Sequence, residues 1–326
     1  MELRQLGRTE LQLSTIGFGA WALGGGDYAF GWGPQDDDES VSAIHRALDR
    51  GVNWIDTAAI YGLGRSEEVV GKALKGIRQE VIVATKCSLI WDDRGNISNS
   101  LHRDSILREV EDSLRRLQTD YIDIYQIHWP SPPENISDGW ETLMGLVEAG
   151  KVRYPAVSNF SVEQLEQVSA IHPVASLQPP YSMFKRDVEA DILPYCRDQK
   201  IGVVAYSPMQ NGLLTGKFTK DRAASLPDDD FRRRSPDFTM PRLEINLVAV
   251  EKLKKIAVET GGTPAQLALA WVLRRPEVTS AISGTRKPAQ IDETAKAADW
   301  RLDESVVDAI ASILTERDKQ IAQQAS

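Results

Sequence analysis

Two residue patterns alternate through almost the whole chain. Short apolar runs, typical of buried strands, are each followed by a longer segment with apolar residues at helical spacing. We count eight such units between residues 13 and 316. This alternation favours a parallel sheet, because each helix returns the chain to the start of the next strand. Eight units in 326 residues fit a single (β/α)8 TIM barrel domain over residues 1–326.

The predicted strands cover 13–20, 53–57, 81–86, 122–128, 152–158, 175–178, 201–206 and 279–283. The predicted helices cover 40–50, 66–76, 103–117, 138–149, 161–170, 189–198, 244–260, 264–273, 288–298 and 303–316, so that extra helices follow the last strand. A turn at Gly7 predicts an N-terminal hairpin outside the repeat. Pro155 lacks a ladder hydrogen bond and predicts a bulge in the fifth strand. Segment 210–242 is predicted to be a long irregular loop, which is usually functional or mobile.

An open doubly wound sheet is the alternative fold. Residues 17–22 satisfy a loose dinucleotide-binding pattern of two glycines and a final alanine. That pattern requires a helix to begin immediately, whereas the glycines at 24–26 prevent one. The barrel is therefore the preferred prediction.

Ionisable residues end three successive predicted strands. Asp56 ends the second strand, Lys86 the third and His128 the fourth, and Tyr61 lies in the loop after Asp56. In a barrel of this kind the active site lies at the carboxyl ends of the strands. We therefore expect these four side chains to meet and to form the catalytic centre.

The four residue types suit the protonation of a carbonyl oxygen. Tyrosine has an ordinary pKa of about 10 and is a weak acid near neutral pH. We expect the Lys86 ammonium to lower the pKa of Tyr61, and Asp56 to keep Lys86 charged. Tyr61 would then act as general acid while His128 orients the same oxygen. Each residue alone is more often structural, and Lys86 alone would also suit a Schiff-base lyase that needs no nicotinamide.

Later strand ends offer groups for a flat, anionic cofactor. Ser158, Asn159 and Gln178 can bond a carboxamide, and Tyr206 can stack on a heterocycle. The candidate pyrophosphate and phosphate residues are Ser207, Pro208, Met209, Gly212, Leu213, Thr215, Gly216, Lys217, Gly284, Thr285 and Arg286. The glycines also fit an ordinary turn, and the arginines at 232–234 fit a solvated surface.

The overall charge limits the partners. A net charge of −9 argues against nucleic acid and anionic membranes as partners. Two distant cysteines, Cys87 and Cys196, predict neither a disulfide framework nor a metal site. No secretory signal or membrane span is recognised, which favours the cytoplasm. No apolar stripe is left over, so a monomer is expected.

The residues at these strand ends resemble the aldo-keto reductase family. The matching motifs are Asp56-Thr57-Ala58 with Tyr61-Gly62, Gly64-x-Ser66-Glu67, Ala84-Thr85-Lys86, Leu114-x-x-Leu117 with Asp120-Tyr121-x-Asp123, Val157-Ser158-Asn159-Phe160 and Ala205-Tyr206-Ser207-Pro208. The resemblance extends from Leu6 to about residue 300, and it is strongest to general-stress reductases and potassium-channel β subunits.

This resemblance implies an NADPH/NADP+-dependent reductase of small aldehydes or ketones, with NADP(H) bound in an extended pose. Arg286 would take the 2′-phosphate, with Gln290 and Glu293 toward the adenosine. The substrate and nicotinamide would be bordered by Ala20 and Trp21, and the substrate by Trp91 and Trp129. Gln290 stands where many members have arginine, which leaves the preference for NADPH over NADH open. The channel-subunit resemblance also permits an NADP(H)-binding sensor or partner subunit with little turnover.

Overall fold

The computed structural model describes residues 1–26, 28–228 and 230–324. Its centre is a closed barrel of eight parallel strands, in which each strand pairs with the next one along the chain and the last pairs with the first. The strands are β1 (Ile16–Gly19), β2 (Trp54–Asp56), β3 (Ile82–Cys87), β4 (Ile122–Ile127), β5 (Val152–Ser158), β6 (Ser176–Gln178), β7 (Gly202–Ala205) and β8 (Val278–Gly284). The predicted (β/α)8 barrel is confirmed.

Helices surround the barrel. They are α1 (Asp37–Asp49), α2 (Arg65–Ala73), α3 (Arg103–Leu117), α4 (Ile136–Glu148), α5 (Val162–Ser169), α6 (Ile192–Asp198), α7 (Lys220–Ala224), α8 (Arg242–Glu259), α9 (Pro264–Leu273), α10 (Pro288–Thr294) and α11 (Glu304–Gln324). The helix predicted over 288–298 changes to 3-10 geometry after Thr294, and the last helix continues beyond its predicted end at residue 316. No helix in the described part of the chain is long and apolar enough to cross a membrane.

The N-terminal hairpin closes one end of the barrel. Its strands, Leu3–Gln5 and Gln12–Ser14, pair antiparallel as predicted. Leu6 and Leu13 are fully buried beside Trp54, whose indole nitrogen donates to the Ser14 carbonyl at 3.2 Å. An added Cβ at Gly17 would lie 2.1 Å from the Trp54 ring, so a glycine is needed there. The hairpin does not cover the opposite end, where the carboxyl ends of the strands lie and where a functional site is expected.

Pro155 does not bulge its strand, and that prediction was wrong. Residues of β5 pair in continuous register with β4, including Tyr125 with Pro155. The Pro155 carbonyl accepts from the Ala175 N–H. The carbonyl and the nitrogen of a strand residue point to the same side, so the Pro155 nitrogen faces the segment just before β6. Because the neighbouring strand has not yet begun there, the missing N–H costs no ladder bond. The register shift in the barrel lies instead between Val203 and Val204.

Two long loops contain regular structure that the sequence did not predict. Residues 88–100 include an antiparallel pair, Leu89–Trp91 with Ile97–Asn99. Segment 210–242 contains helix α7 and 3-10 turns at Gln210–Thr215, Phe231–Arg234 and Pro236–Phe238.

Candidate active site

A buried ion pair lies at the carboxyl ends of β2 and β3. Lys86 Nζ donates to both oxygens of Asp56, at 2.9 and 2.8 Å, and to the Thr57 carbonyl at 2.8 Å. The Lys86 side chain is 0% exposed. Burial lowers the pKa of Lys86, while the Asp56 carboxylate opposes that shift. The pair is therefore a closed electrostatic unit, and its members were correctly expected to meet.

Tyr61 extends this unit toward the mouth of the barrel. Lys86 Nζ donates to the Tyr61 hydroxyl at 3.3 Å. Burial, and then the Asp56 charge, raise the pKa of Tyr61 well above its ordinary value. The expectation that Lys86 lowers this pKa was therefore wrong, because Asp56 largely neutralises the ammonium and burial dominates. Tyr61 keeps its proton at neutral pH, as a proton donor must.

His128 lies on the other side of Tyr61. The two ring centroids are 5.9 Å apart at an angle of 80°. Burial, and then the Lys86 charge, hold the pKa of His128 well below its ordinary value. The imidazole is therefore neutral near pH 7 and can donate one N–H to a neighbouring oxygen.

Two glutamine side chains complete the surroundings of Asp56. The Gln178 amide nitrogen donates to Asp56 Oδ1 at 2.7 Å and to the Gln126 side-chain oxygen at 3.3 Å. Gln126 itself lies 3.4 Å from the same carboxylate oxygen. Gln126 was missed by sequence reasoning. The available signal was its place two residues before His128, which puts both on the same face of the strand.

A second set of hydrogen bonds fixes the loop that carries Tyr61. The Ser66 hydroxyl donates to the Ala20 carbonyl at 2.9 Å and shares a hydrogen bond of 2.8 Å with Thr57. Glu67 is fully buried, with Arg116 at 2.6 Å and Thr85 at 2.6 Å on its two oxygens. These contacts join β1, β2, β3 and α3 behind the four predicted catalytic residues.

The expected carboxamide residues meet at the ends of β5 to β7. Asn159 has a left-handed backbone with φ of 62°. Its amide nitrogen donates to the His128 carbonyl at 3.0 Å and to Ser158 Oγ at 3.1 Å, while its oxygen accepts from the Tyr206 hydroxyl at 2.9 Å. The Gln178 side-chain nitrogen is used by Asp56, while its backbone carbonyl accepts from the Ser158 hydroxyl at 2.8 Å and from the Asn159 N–H at 3.2 Å.

The segment after β7 forms a tight turn with open space beside Gly212. Asn211 and Gly212 have positive φ values of 51° and 94°. A Cβ added at Gly212 would meet only Arg232 Nη1 within 4 Å, at 4.0 Å. Ser207 bonds Asn211 at 3.0 Å. The other expected residues of this segment are Pro208, Met209, Leu213, Thr215, Gly216 and Lys217, and Thr215 bonds the Gly212 carbonyl at 2.7 Å.

The cationic side chains near this turn are paired with other parts of the chain. Arg286 donates to Gln35 Oε1 at 2.6 Å and to the Trp32 carbonyl at 3.1 Å. Lys217 pairs with Glu293 at 3.0 Å. Gln290 accepts from the backbone N–H of Arg286 at 2.8 Å and so fixes the start of α10. Gly284 ends β8 and Thr285 follows it, and in the described part of the chain nothing lies within 4 Å of a Cβ added at Gly284.

Aromatic side chains cover the mouth of the site. The Trp21 ring lies 6.2 Å from Tyr61, 5.3 Å from Trp32 and 5.2 Å from Phe231. Phe231 comes from the 210–242 segment, and sequence reasoning missed it because only the tertiary fold brings that segment here.

The expected substrate walls at Trp91 and Trp129 differ in their contacts. Trp129 is 44% exposed. The Trp91 ring lies 5.8 Å from the Arg116 guanidinium.

The run of arginines at 232–234 divides into two kinds of residue. Arg232 is buried, pairs with Asp230 at 2.6 Å and lies 4.6 Å from the Trp32 ring centroid. Arg233 and Arg234 are exposed. Only these two fit the interpretation of the run as a solvated surface.

Comparison with known proteins agrees with this architecture. The pattern of the Aldo/keto reductase family matches residues 15–315. The chain belongs to the aldo/keto reductase family.

Similar proteins cover nearly the whole chain. An aldo-keto reductase of Bacillus subtilis (strain 168) is 42% identical over 93% of this chain and 90% of its own length. An NADH-specific methylglyoxal reductase of Escherichia coli (strain K12) is 34% identical over 92% of this chain and 94% of its own. The solved glycerol dehydrogenase of Gluconobacter oxydans superposes with a TM-score of 0.87, at 39% identity, covering 97% of this chain and 95% of that chain.

Membership of this family makes the chain an oxidoreductase that uses a nicotinamide cofactor and acts on small carbonyl compounds. The residues present fit such a cofactor. Open space beside Gly212 and Gly284 leaves room for a phosphate, and Arg232 Nη1 lies 4.0 Å from a Cβ added at Gly212 while the rest of its guanidinium bonds Asp230. The Ser158, Asn159 and Tyr206 cluster supplies amide and aromatic groups at the ends of β5 and β7.

Proposed function

We propose that this protein reduces aldehydes or ketones to alcohols with NADPH, and that Tyr61 is the proton donor. The observation that carries the proposal is the buried chain of hydrogen bonds from Asp56 through Lys86 to Tyr61, beside His128 at the carboxyl ends of the strands.

Each residue has a distinct part in the proposed reaction. When bound, the nicotinamide supplies a hydride to the carbonyl carbon. The Tyr61 hydroxyl donates its proton to the carbonyl oxygen, and the Lys86 ammonium, 3.3 Å away, stabilises the phenolate that remains. Asp56 holds Lys86 in place, and neutral His128 donates a hydrogen bond that orients the substrate oxygen.

The cofactor is proposed to lie across β5 to β8. Ser158 and Asn159 would bond the nicotinamide carboxamide, with Tyr206 against the ring. The turn at 207–217 would hold the pyrophosphate. The Arg286 guanidinium suits a 2′-phosphate because its planar fork makes two parallel hydrogen bonds. That residue supports NADPH, whereas the methylglyoxal reductase relative is named as NADH-specific, so both cofactors must be measured.

The contacts of Lys86 count against a lysine Schiff-base lyase. Its amine contacts both Asp56 oxygens, the Thr57 carbonyl and Tyr61, and its side chain is fully buried. Imine formation would require this amine to lose its proton and leave those partners. Borohydride trapping of substrate on Lys86 would reverse this conclusion.

The test compares wild type with Tyr61→Phe. NADPH consumption is followed with aromatic and aliphatic aldehydes and with methylglyoxal, and NADP+ reduction with glycerol, because relatives are named for the last two compounds. Fluorescence titration measures NADPH affinity. We expect turnover to fall by at least about 100-fold in Tyr61→Phe, while the NADPH Kd changes by less than about threefold.

Other outcomes have clear meanings. Loss of turnover and NADPH binding together would assign Tyr61 a structural role. Tight NADPH binding with no turnover of any compound would replace the reductase with a cofactor-binding sensor or partner subunit.

A further inference from the structure

Ser88 forms a strained corner immediately after Lys86 and Cys87. It is fully buried and has a φ of 82°, in the left-handed region that a non-glycine residue occupies only with backbone strain. Such a conformation persists only where the surroundings hold it. The corner lies two residues from the amine that contacts Tyr61.

Each polar group of Ser88 is hydrogen-bonded. Its backbone N–H donates to Glu109 Oε2 at 2.9 Å, and its carbonyl accepts from the Ser100 N–H at 3.0 Å. Its hydroxyl accepts from the Trp129 N–H at 3.2 Å and lies 3.3 Å from the Trp129 carbonyl. Ser88 therefore connects helix α3, which carries Glu109, to the chain just after His128.

Glu109 is a buried carboxyl with an unusual set of partners. Its second oxygen accepts from the Ser105 hydroxyl at 3.0 Å. Within the described ranges of the chain, no lysine or arginine forms an ion pair with it. A buried carboxyl without a cation is costly, so the Ser88 N–H and the Ser105 hydroxyl are the donors that compensate its burial and tie it to the corner.

The backbone of His128 is held from two sides. Its N–H donates to the Cys87 carbonyl at 3.1 Å, and its carbonyl accepts from the Asn159 side chain at 3.0 Å. The following residue, Trp129, is the one that Ser88 holds. Cys87 and Ser88, at the end of β3, thus fix His128 and Trp129, which directly follow β4.

We propose that Glu109 and Ser88 are positioning residues that set where His128 and Trp129 stand over the carbonyl site, and so control binding and orientation of the carbonyl substrate. This inference rests on the proposed reductase function. Neither residue has a described hydrogen bond to Ser158, Asn159 or Tyr206, and the His128 carbonyl is held separately by Asn159, so we expect nicotinamide-nucleotide binding to change little.

The experiment uses three variants and one matched control. Ser88→Ala removes only the hydroxyl that holds Trp129, and Glu109→Ala removes the acceptor of the Ser88 N–H. Glu109→Gln keeps an acceptor oxygen at the same place. Ser105→Ala, the control, removes the other bond to Glu109 without touching the corner.

We measure KM and kcat for a carbonyl substrate at saturating NADPH, NADPH affinity by fluorescence, and hydrogen exchange of the backbone amides at 128–129 in the protein alone. Ser88→Ala and Glu109→Ala should each lower kcat/KM by about tenfold, chiefly through KM, with faster exchange at Trp129. Their NADPH Kd should stay within about twofold of wild type. Glu109→Gln and Ser105→Ala should stay within about threefold of wild type in kcat/KM and exchange.

Two results would overturn the proposal. The first is a folded Ser88→Ala protein with unchanged KM and unchanged exchange at Trp129. The second is an equal loss of kcat/KM in Ser105→Ala, which would indicate a general effect on α3. If Glu109→Ala does not fold, Ser88→Ala decides alone. If the proposed reductase function is wrong, the wild type will show no turnover. The hydrogen-exchange comparison does not depend on turnover, so it would still decide whether Ser88 and Glu109 hold Trp129.

Discussion

The two sides of the barrel mouth differ in where their charged groups find partners. At the ends of β2 to β4, Lys86 and Asp56 are buried and pair with each other. At the ends of β7 and β8, Arg286 and Lys217 are more exposed and pair with Gln35 and Glu293. The first side is arranged for chemistry before any ligand binds. On the second side, an anion bound as proposed would replace contacts that the chain makes with itself.

This difference has an energetic consequence. Breaking a buried pair leaves an uncompensated charge away from water, which costs about 3–5 kcal/mol. An exposed pair contributes about 0–1 kcal/mol and is weakened by salt. Substitutions on the two sides should therefore affect different measured quantities.

The largest effect is expected on the buried side. Lys86→Met should lower kcat by at least about 1,000-fold, and lower the free energy of unfolding by about 3–5 kcal/mol because Asp56 loses its counter-charge. Steady-state kinetics and denaturant unfolding measure these two quantities. As a control, the double variant Lys86→Met with Asp56→Asn should regain much of the stability without regaining activity. A fully stable Lys86→Met protein would contradict the description of this side as a closed electrostatic unit.

A smaller and more selective effect is expected on the rim. Arg286→Met should raise the Kd for NADPH by about 10- to 100-fold and that for NADH by less than about threefold, because only NADPH carries the 2′-phosphate. The NADPH effect should shrink as ionic strength rises. Arg233→Met is the matched control for loss of one exposed positive charge, and fluorescence titration is the measurement. Equal losses for both cofactors would mean that Arg286 acts by holding residues 32–35.

The third effect is a pH dependence of stability that belongs to the buried side alone. Burial raises the pKa of Glu109 from 4.5 to about 7, with Cys87, Tyr125 and Glu67 facing it and Arg108 opposing the shift. A raised folded-state pKa contributes stability that is complete below pH 4.5 and is lost as pH rises to about 7.

Wild type should therefore lose up to about 3 kcal/mol relative to Glu109→Gln over that pH range. Thermal or denaturant unfolding at several pH values measures the difference. Lys217→Met, from the rim, should show the wild-type pH dependence. A constant difference between wild type and Glu109→Gln at all pH values would show that Glu109 titrates as in the unfolded chain.

Local patterns in the sequence were sufficient to predict the barrel and the meeting of four residues. Each apolar run is followed by a helical pattern, and closure of eight such units brings the carboxyl ends of the strands together. Asp56, Lys86 and His128 each stand at such an end, so their neighbourhood followed from strand order alone. The order of the strands in the closed sheet agrees with this prediction.

The electrostatic environment could not be predicted in the same way. Sequence reasoning considered Lys86 as the neighbour of Tyr61 and predicted a lowered pKa for the tyrosine. The outcome depends on burial and on Asp56, which raise that pKa. Desolvation depends on everything packed around a group, and no local pattern records it.

What the sequence determined by itself is the set of strand ends and the residues that stand on them, because the periods of strands and helices are local properties. Only the tertiary structure decided which distant groups contact those residues. Gln178 turns to Asp56, Phe231 reaches Trp21 from a long loop, and Glu109 holds Ser88. These contacts join segments between 21 and 210 positions apart in the chain, and three-dimensional packing rather than residue spacing selects such partners.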